Sequence, residues 1–302
     1  QQIAQLFLIL IMGYAVVKAG LLKASDSRVL SVVMVYLVTP CVIINAFQID
    51  DTPEIRKGLL YSMAIAAAIH VVLLVLSALL SRPLKLDAVE QVNVIYSNAA
   101  ALVIPLVKAL MGDAYVIYSC AFIIVQLVLL WTHASSLLQG SSALDWKKVL
   151  TNINMIAIAA GALLYWFRVV LPAPLQNTMS TVGNMMGPMG MLLAGMAIAE
   201  KPLREGFCTR RNYLPTVLRL VVCLLVVLVL LWVCHASSWV ADGKNILMTV
   251  YLAAITPACA TVTSMAQLYD RDAAHSSALY VLTTLLSIVS MPVMIGLFDL
   301  LL

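Results

Sequence analysis

This sequence predicts an all-α polytopic membrane protein, and three observations carry that prediction. Of its 302 residues, 63% are hydrophobic and 11% charged, whereas soluble domains carry about a quarter charged residues. The mean hydropathy is +1.02. Ten apolar segments approach or exceed the ~20 residues that span a bilayer as helix: 3–22, 28–48, 58–80, 90–111, 114–138, 148–169, 176–199, 212–234, 245–268 and 274–300.

The first segment reads as a retained span. It has no basic n-region and no small-residue cleavage site, as a cleavable signal peptide would. Pro40 marks the second and Pro188 the seventh, each a point where a helix bends or breaks. The fourth and ninth are interrupted at their centres. One reads Ser97-Asn98-Ala99-Ala100-Ala101-Leu102-Val103-Ile104-Pro105, the other Thr256-Pro257-Ala258-Cys259-Ala260-Thr261-Val262-Thr263-Ser264. The six cysteines show no CxxC spacing and read as small core residues rather than disulfides or metal ligands.

Lysine and arginine in short loops set topology. With the amino terminus outside, inner loops hold twelve of the eighteen basic residues and outer loops and span ends five. Both termini are therefore expected outside. Arg219, the remaining one, lies about two turns into the eighth span and is expected to snorkel inward. A net charge of +4 spread this way gives no reason to expect nucleic acid as a partner.

The ten spans divide into two sets of five. Gly13 and Gly161, and Pro40 and Pro188, are both separated by 148 residues. Because five is odd, the second copy enters the membrane from the opposite side, giving two inverted five-helix repeats, 1–140 and 141–302. The hydrophilic stretch from Gln139 to Lys148 is the expected linker.

In lipid a broken helix survives where it lines a protein-enclosed cavity. Paired breaks in two halves are a sequence pointer to a secondary transporter's substrate site. Each break is expected to aim a half-helix amino terminus at the midplane, where partial positive charge suits a carboxylate. Candidate substrate-binding residues are Asn98, Ala99, Ala100, Pro105, Thr256, Pro257, Ala258, Thr261 and Ser264. Proline, serine and threonine also occur in membrane helices as kinks and packing residues; two breaks at related positions favour the site reading. Asn45 and Asn184 are accessory candidates for the cavity wall. Lys108 either attracts anions or snorkels. His70, central in the third span, suits a proton relay, with a packing histidine the simpler role. His133 and His235 fall near span ends.

No acidic residue lies near the middle of a span. A cation-proton antiporter needs a midplane carboxylate, so this argues against cation exchange and for an anionic substrate. HExxH, GxSxG and glycine-rich phosphate loops are missing. The expectation is a non-enzyme with no cofactor and no metal site.

At the interrupted segments the sequence resembles the auxin efflux carrier family, which includes compact bacterial members and the plant PIN proteins. The run from Asn98 to Gly112 is similar in its Asn-to-Pro spacing, its Ile104-Pro105-Leu106, its Lys108-Ala109 and its Gly112. In the ninth span Pro257, Ala266 and Tyr269 match, as do Pro40 and Met291-Pro292. Val103 replaces the family's glycine and Val262 its second proline. The large loop of long plant members is missing, as in the compact bacterial type.

The resemblance implies the fold of bile-acid symporters and sodium-proton antiporters, with a scaffold (spans 1, 2, 6, 7) and a transport domain (spans 3–5, 8–10). It implies crossing fourth and ninth helices, homodimers formed through the scaffold, and a bacterial inner (plasma) membrane location. The expected function is secondary transport of small organic anions such as malate, malonate or auxin-like acids, with membrane lipid as surroundings. Proton and sodium coupling both stay open, the alternatives being a sodium-coupled symporter or a sensor without transport.

Overall fold

The computed structural model describes residues 2–48, 52–140, 151, 153–199 and 209–302. The expected linker beyond Gly140, with Lys147, Lys148, Lys201, Arg204 and Cys208, lies outside the described residues. The described chain is helical without strands: α1 (Gln2–Lys18), α2 (Ala24–Asn45), α3 (Pro53–Leu84), α4 (Ala88–Ile95), α5 (Ala99–Leu110) and α6 (Val116–Gln139). The second half holds α7 (Ile153–Trp166), α8 (Ala173–Gly183), α9 (Met186–Ile198), α10 (Arg210–Val233), α11 (Gly243–Ile255), α12 (Ala260–Leu268) and α13 (Ala273–Leu301).

Five of these, α2, α3, α6, α10 and α13, are long and apolar enough to cross a membrane. Their ends follow local chemistry. Thr52 caps α3 by accepting from the Ile55 N–H, Pro53 takes the first helical position, and Lys85 closes the helix in the left-handed region. Asp87 and Glu90 form a reciprocal capping box on α4, satisfying donors that have no partner within the helix. Gly112, at φ +94, ends α5 with a conformation that glycine adopts without strain.

Three long helices each contain one wider π-helical turn: Met34–Val38 in α2, Leu130–Ala134 in α6 and Leu218–Val222 in α10. Such a turn loosens the regular ladder, and side chains reach its surroundings. Asn154 on α7 donates to the Val35 carbonyl at 3.2 Å, and the Tyr96 hydroxyl donates to the Leu129 carbonyl at 3.0 Å.

Packing sorts the helices. α1 lies along α9 and α7 along α2, and α1 approaches α9 closely enough that Cβ atoms at Gly13 and Gly195 would overlap the backbones of Leu192 and Leu10. Small residues at such points let membrane helices meet backbone to backbone. α3 packs on α6, and α11 reaches both, around a core that includes Tyr96, Phe122, Trp131 and Tyr251. At one end of this group, buried Glu90 bonds Arg211 of α10 at 2.7 Å and lies 3.7 Å from His275 of α13, tying three helices together.

Candidate functional site

The two interruptions meet. α4 stops at Ile95 and α5 begins at Ala99; α11 stops at Ile255 and α12 begins at Ala260. Between them Ser97 and Ala258 form an antiparallel bridge. The Asn98 N–H donates to the Pro257 carbonyl at 2.8 Å, and the Cys259 N–H donates to the Tyr96 carbonyl at 3.1 Å. Unwound backbone away from water needs such partners. Each break supplies the other's, and because the two unwound segments run antiparallel, α5 and α12 leave in opposite directions with both amino termini at the meeting point.

Two further helices hold the bridge. Gln126 of α6 accepts from the Ser97 N–H at 3.0 Å and its hydroxyl at 2.7 Å, and donates from Nε2 to the Ser97 carbonyl at 2.8 Å. Thr283 of α13 accepts from the Ala258 N–H at 3.1 Å. Ser97, Gln126 and Thr283 are all buried.

Asn98 takes the capping position of α5 without capping it; its Nδ2 instead donates to the Tyr280 hydroxyl at 3.4 Å. Ala99, Ala258 and Thr261 are buried beside the bridge. The Thr256 hydroxyl closes the last turn of α11 on the Ala253 carbonyl, and Ser264 of α12 turns to the Met34 sulfur at 3.3 Å. The side chains of Ala100, Pro105 and Lys108 lie outside the described residues.

Pro105 requires a correction. The sequence marks it as the point of rupture, yet α5 runs through it from Ala99 to Leu110. The chain unwinds earlier, at Tyr96–Asn98, because the partners that satisfy open backbone stand there. Pro257, by contrast, lies within its break.

His70 is buried in α3. Its Nδ1 pairs with the Ala66 carbonyl at 2.8 Å, its ring packs 4.8 Å from that of Phe122, and its Nε2 has no hydrogen-bond partner among the described residues. Asn45 is half-buried at the end of α2, and Asn184 is exposed between α8 and α9. An apolar cavity of about 490 Å³ opens between α3, α6 and α7, lined by Phe47, Leu59, Ile124 and Trp166 with Arg56 and Arg168 among its walls. No residue of the two breaks lines it, so bonding rather than cavity size singles out the candidate site.

Arg219 also departs from expectation. It does not snorkel: it is 0% exposed. From the π-turn of α10 its guanidinium donates to the carbonyls of Val94 and Ile95, each at 3.3 Å, and to those of Ala254 and Thr256, at 2.5 and 2.8 Å. These belong to the carboxyl ends of α4 and α11. An arginine inside an apolar span is a functional hypothesis by default, and that signal was present in the sequence. Gln126, Tyr280 and Thr283 carried no comparable signal.

A family model described as "Membrane transport protein" matches residues 1–144 and 141–295. None of the curated proteins is similar enough to match.

Proposed function

The chain belongs to the auxin efflux carrier family of membrane transport proteins, and from that premise we propose that it is a secondary transporter of small organic anions. Its cargo would carry a carboxylate, as malate, malonate and auxin-like acids do, and would bind where the two breaks meet. The antiparallel pairing of Ser97 with Ala258 carries this reading. It brings the amino termini of α5 and α12 to one buried point, and helix amino termini attract anions through oriented N–H groups and partial positive charge. Asn98, Thr256, Thr261 and Ser264 add polar groups beside or near that point, with Ala99, Pro257 and Ala258 shaping its walls.

Reciprocal packing supports two inverted five-span repeats, 1–140 and 141–302. α1 lies on α9 of the other half, and α7 of that half lies on α2. In this reading spans 1, 2, 6 and 7 form a dimerising scaffold. Spans 3–5 and 8–10 carry the site across the membrane, with both termini outside a bacterial inner membrane. The test is uptake of labelled malate, malonate or an aromatic acid into liposomes containing this protein alone. Uptake above that of empty liposomes supports transport. Binding without uptake of any of the three would replace it with a sensor.

A further inference from the structure

The amino termini at the breaks have counterparts: α4 and α11 deliver their carboxyl ends to the same place. A helix carboxyl end carries about −0.5 elementary charge, so two sum to about −1. The Arg219 guanidinium, always protonated, supplies +1 and donates to four carbonyls of those two ends. Among the described residues no carboxylate pairs with it. A buried cation without partners costs several kcal/mol; here the main chain of two helix ends is the counter-ion. In other secondary transporters, unwound carbonyls and half-helix carboxyl ends hold the coupling sodium or proton.

We infer that Arg219 is a tethered cation standing where a coupling cation would bind, so that the breaks of this protein neither need nor admit sodium. The guanidinium satisfies the carbonyl ends whether or not substrate is present. Removing the side chain creates a pocket of four carbonyls suited to a small planar cation, which free guanidinium fills. The statement about coupling rests on the transport reading; the cation site itself rests on the hydrogen bonds.

The experiment combines thermal unfolding with liposome uptake. For the wild type, replacing sodium chloride by choline chloride at equal ionic strength leaves the melting temperature and malate uptake unchanged. Arg219→Ala melts lower, and about 10 mM guanidinium chloride raises its melting temperature by about 3 °C without raising that of the wild type. Arg219→Lys, which keeps the charge, melts above Arg219→Gln, which keeps donors without charge. The lysine–glutamine comparison and the wild-type sodium arm decide the matter if the alanine variant does not fold. The inference is overturned if sodium stabilises the wild type or drives its uptake. It is equally overturned if guanidinium shifts the alanine variant no more than the wild type, or if the glutamine variant is as stable as the lysine one. A wild type that moves none of the anions sinks the transport reading and leaves the thermal results to judge the cation.

Discussion

Replacing Gln126 by leucine tests whether the paired breaks are held from outside or hold themselves. Gln126 stands ten residues into α6, about 15 Å along the helix at 1.5 Å per residue, where water is scarce. Its amide makes three hydrogen bonds to Ser97, two accepted and one donated, at 2.7–3.0 Å. Leucine fills similar space and bonds to nothing. The Ser97 N–H and carbonyl then remain buried without partners, while its hydroxyl can rotate elsewhere. Each orphaned group costs about 1–3 kcal/mol, so the loss is about 2–6 kcal/mol. At roughly 2–4 °C per kcal/mol, this is a fall of about 4 °C or more in melting temperature. Scanning fluorimetry of the purified protein reads the stability, and malate uptake per folded molecule reads the site. Gln126→Glu, as a neutral acid, keeps one donor and one acceptor and falls between the two. A leucine variant that melts and transports like the wild type refutes the reasoning. One that melts lower but transports normally refutes the narrower claim that Gln126 sets the geometry through which substrate moves.

Two more outcomes follow from the same geometry. Asn98→Ala abolishes malate uptake or binding while the melting temperature stays within about 4 °C, because the long bond to Tyr280 is worth no more than about 1 kcal/mol; wild-type affinity by calorimetry would remove Asn98 from the site. Gly195→Ala lowers stability by about 1–3 kcal/mol through overpacking, since its Cβ would lie 2.0 Å from the Leu10 carbonyl oxygen. Gly296→Ala, with none of the described residues within 4 Å of the added atom, is the control, and an equal fall in both melting temperatures would refute the packing argument.

Hydropathy and the proline-bearing interruptions made the helical class and the two breaks readable in the sequence, since both are local properties. The position of each break was readable only where the local signal coincided with a tertiary partner. Pro257 coincides with the Asn98 N–H that its carbonyl accepts. Pro105 does not: α5 absorbs the missing donor, and unwinding falls where Cys259, Gln126 and Pro257 stand ready. The same logic explains what stayed hidden. Gln126 and Thr283 look like ordinary polar residues in apolar helices until two other helices bring Ser97 and Ala258 against them. Arg219 is near enough to the start of α10 for its stem to reach an interface, so a one-dimensional reading sends it outward. The carbonyls that turn it inward are supplied by residues far away in the chain.

The link between the breaks is made of main chain. Two amides and two carbonyls sew Tyr96–Asn98 to Pro257–Cys259, and any residue that fits supplies the same amides save proline. The mechanical joint is thus written in the main chain, and the proposed cargo-reading surface in the side chains of Asn98, Thr261 and Ser264. A library that varies Asn98, Thr261 and Ser264 together can be searched for new cargo without unpicking the seam, because the stitches carry no side-chain spelling.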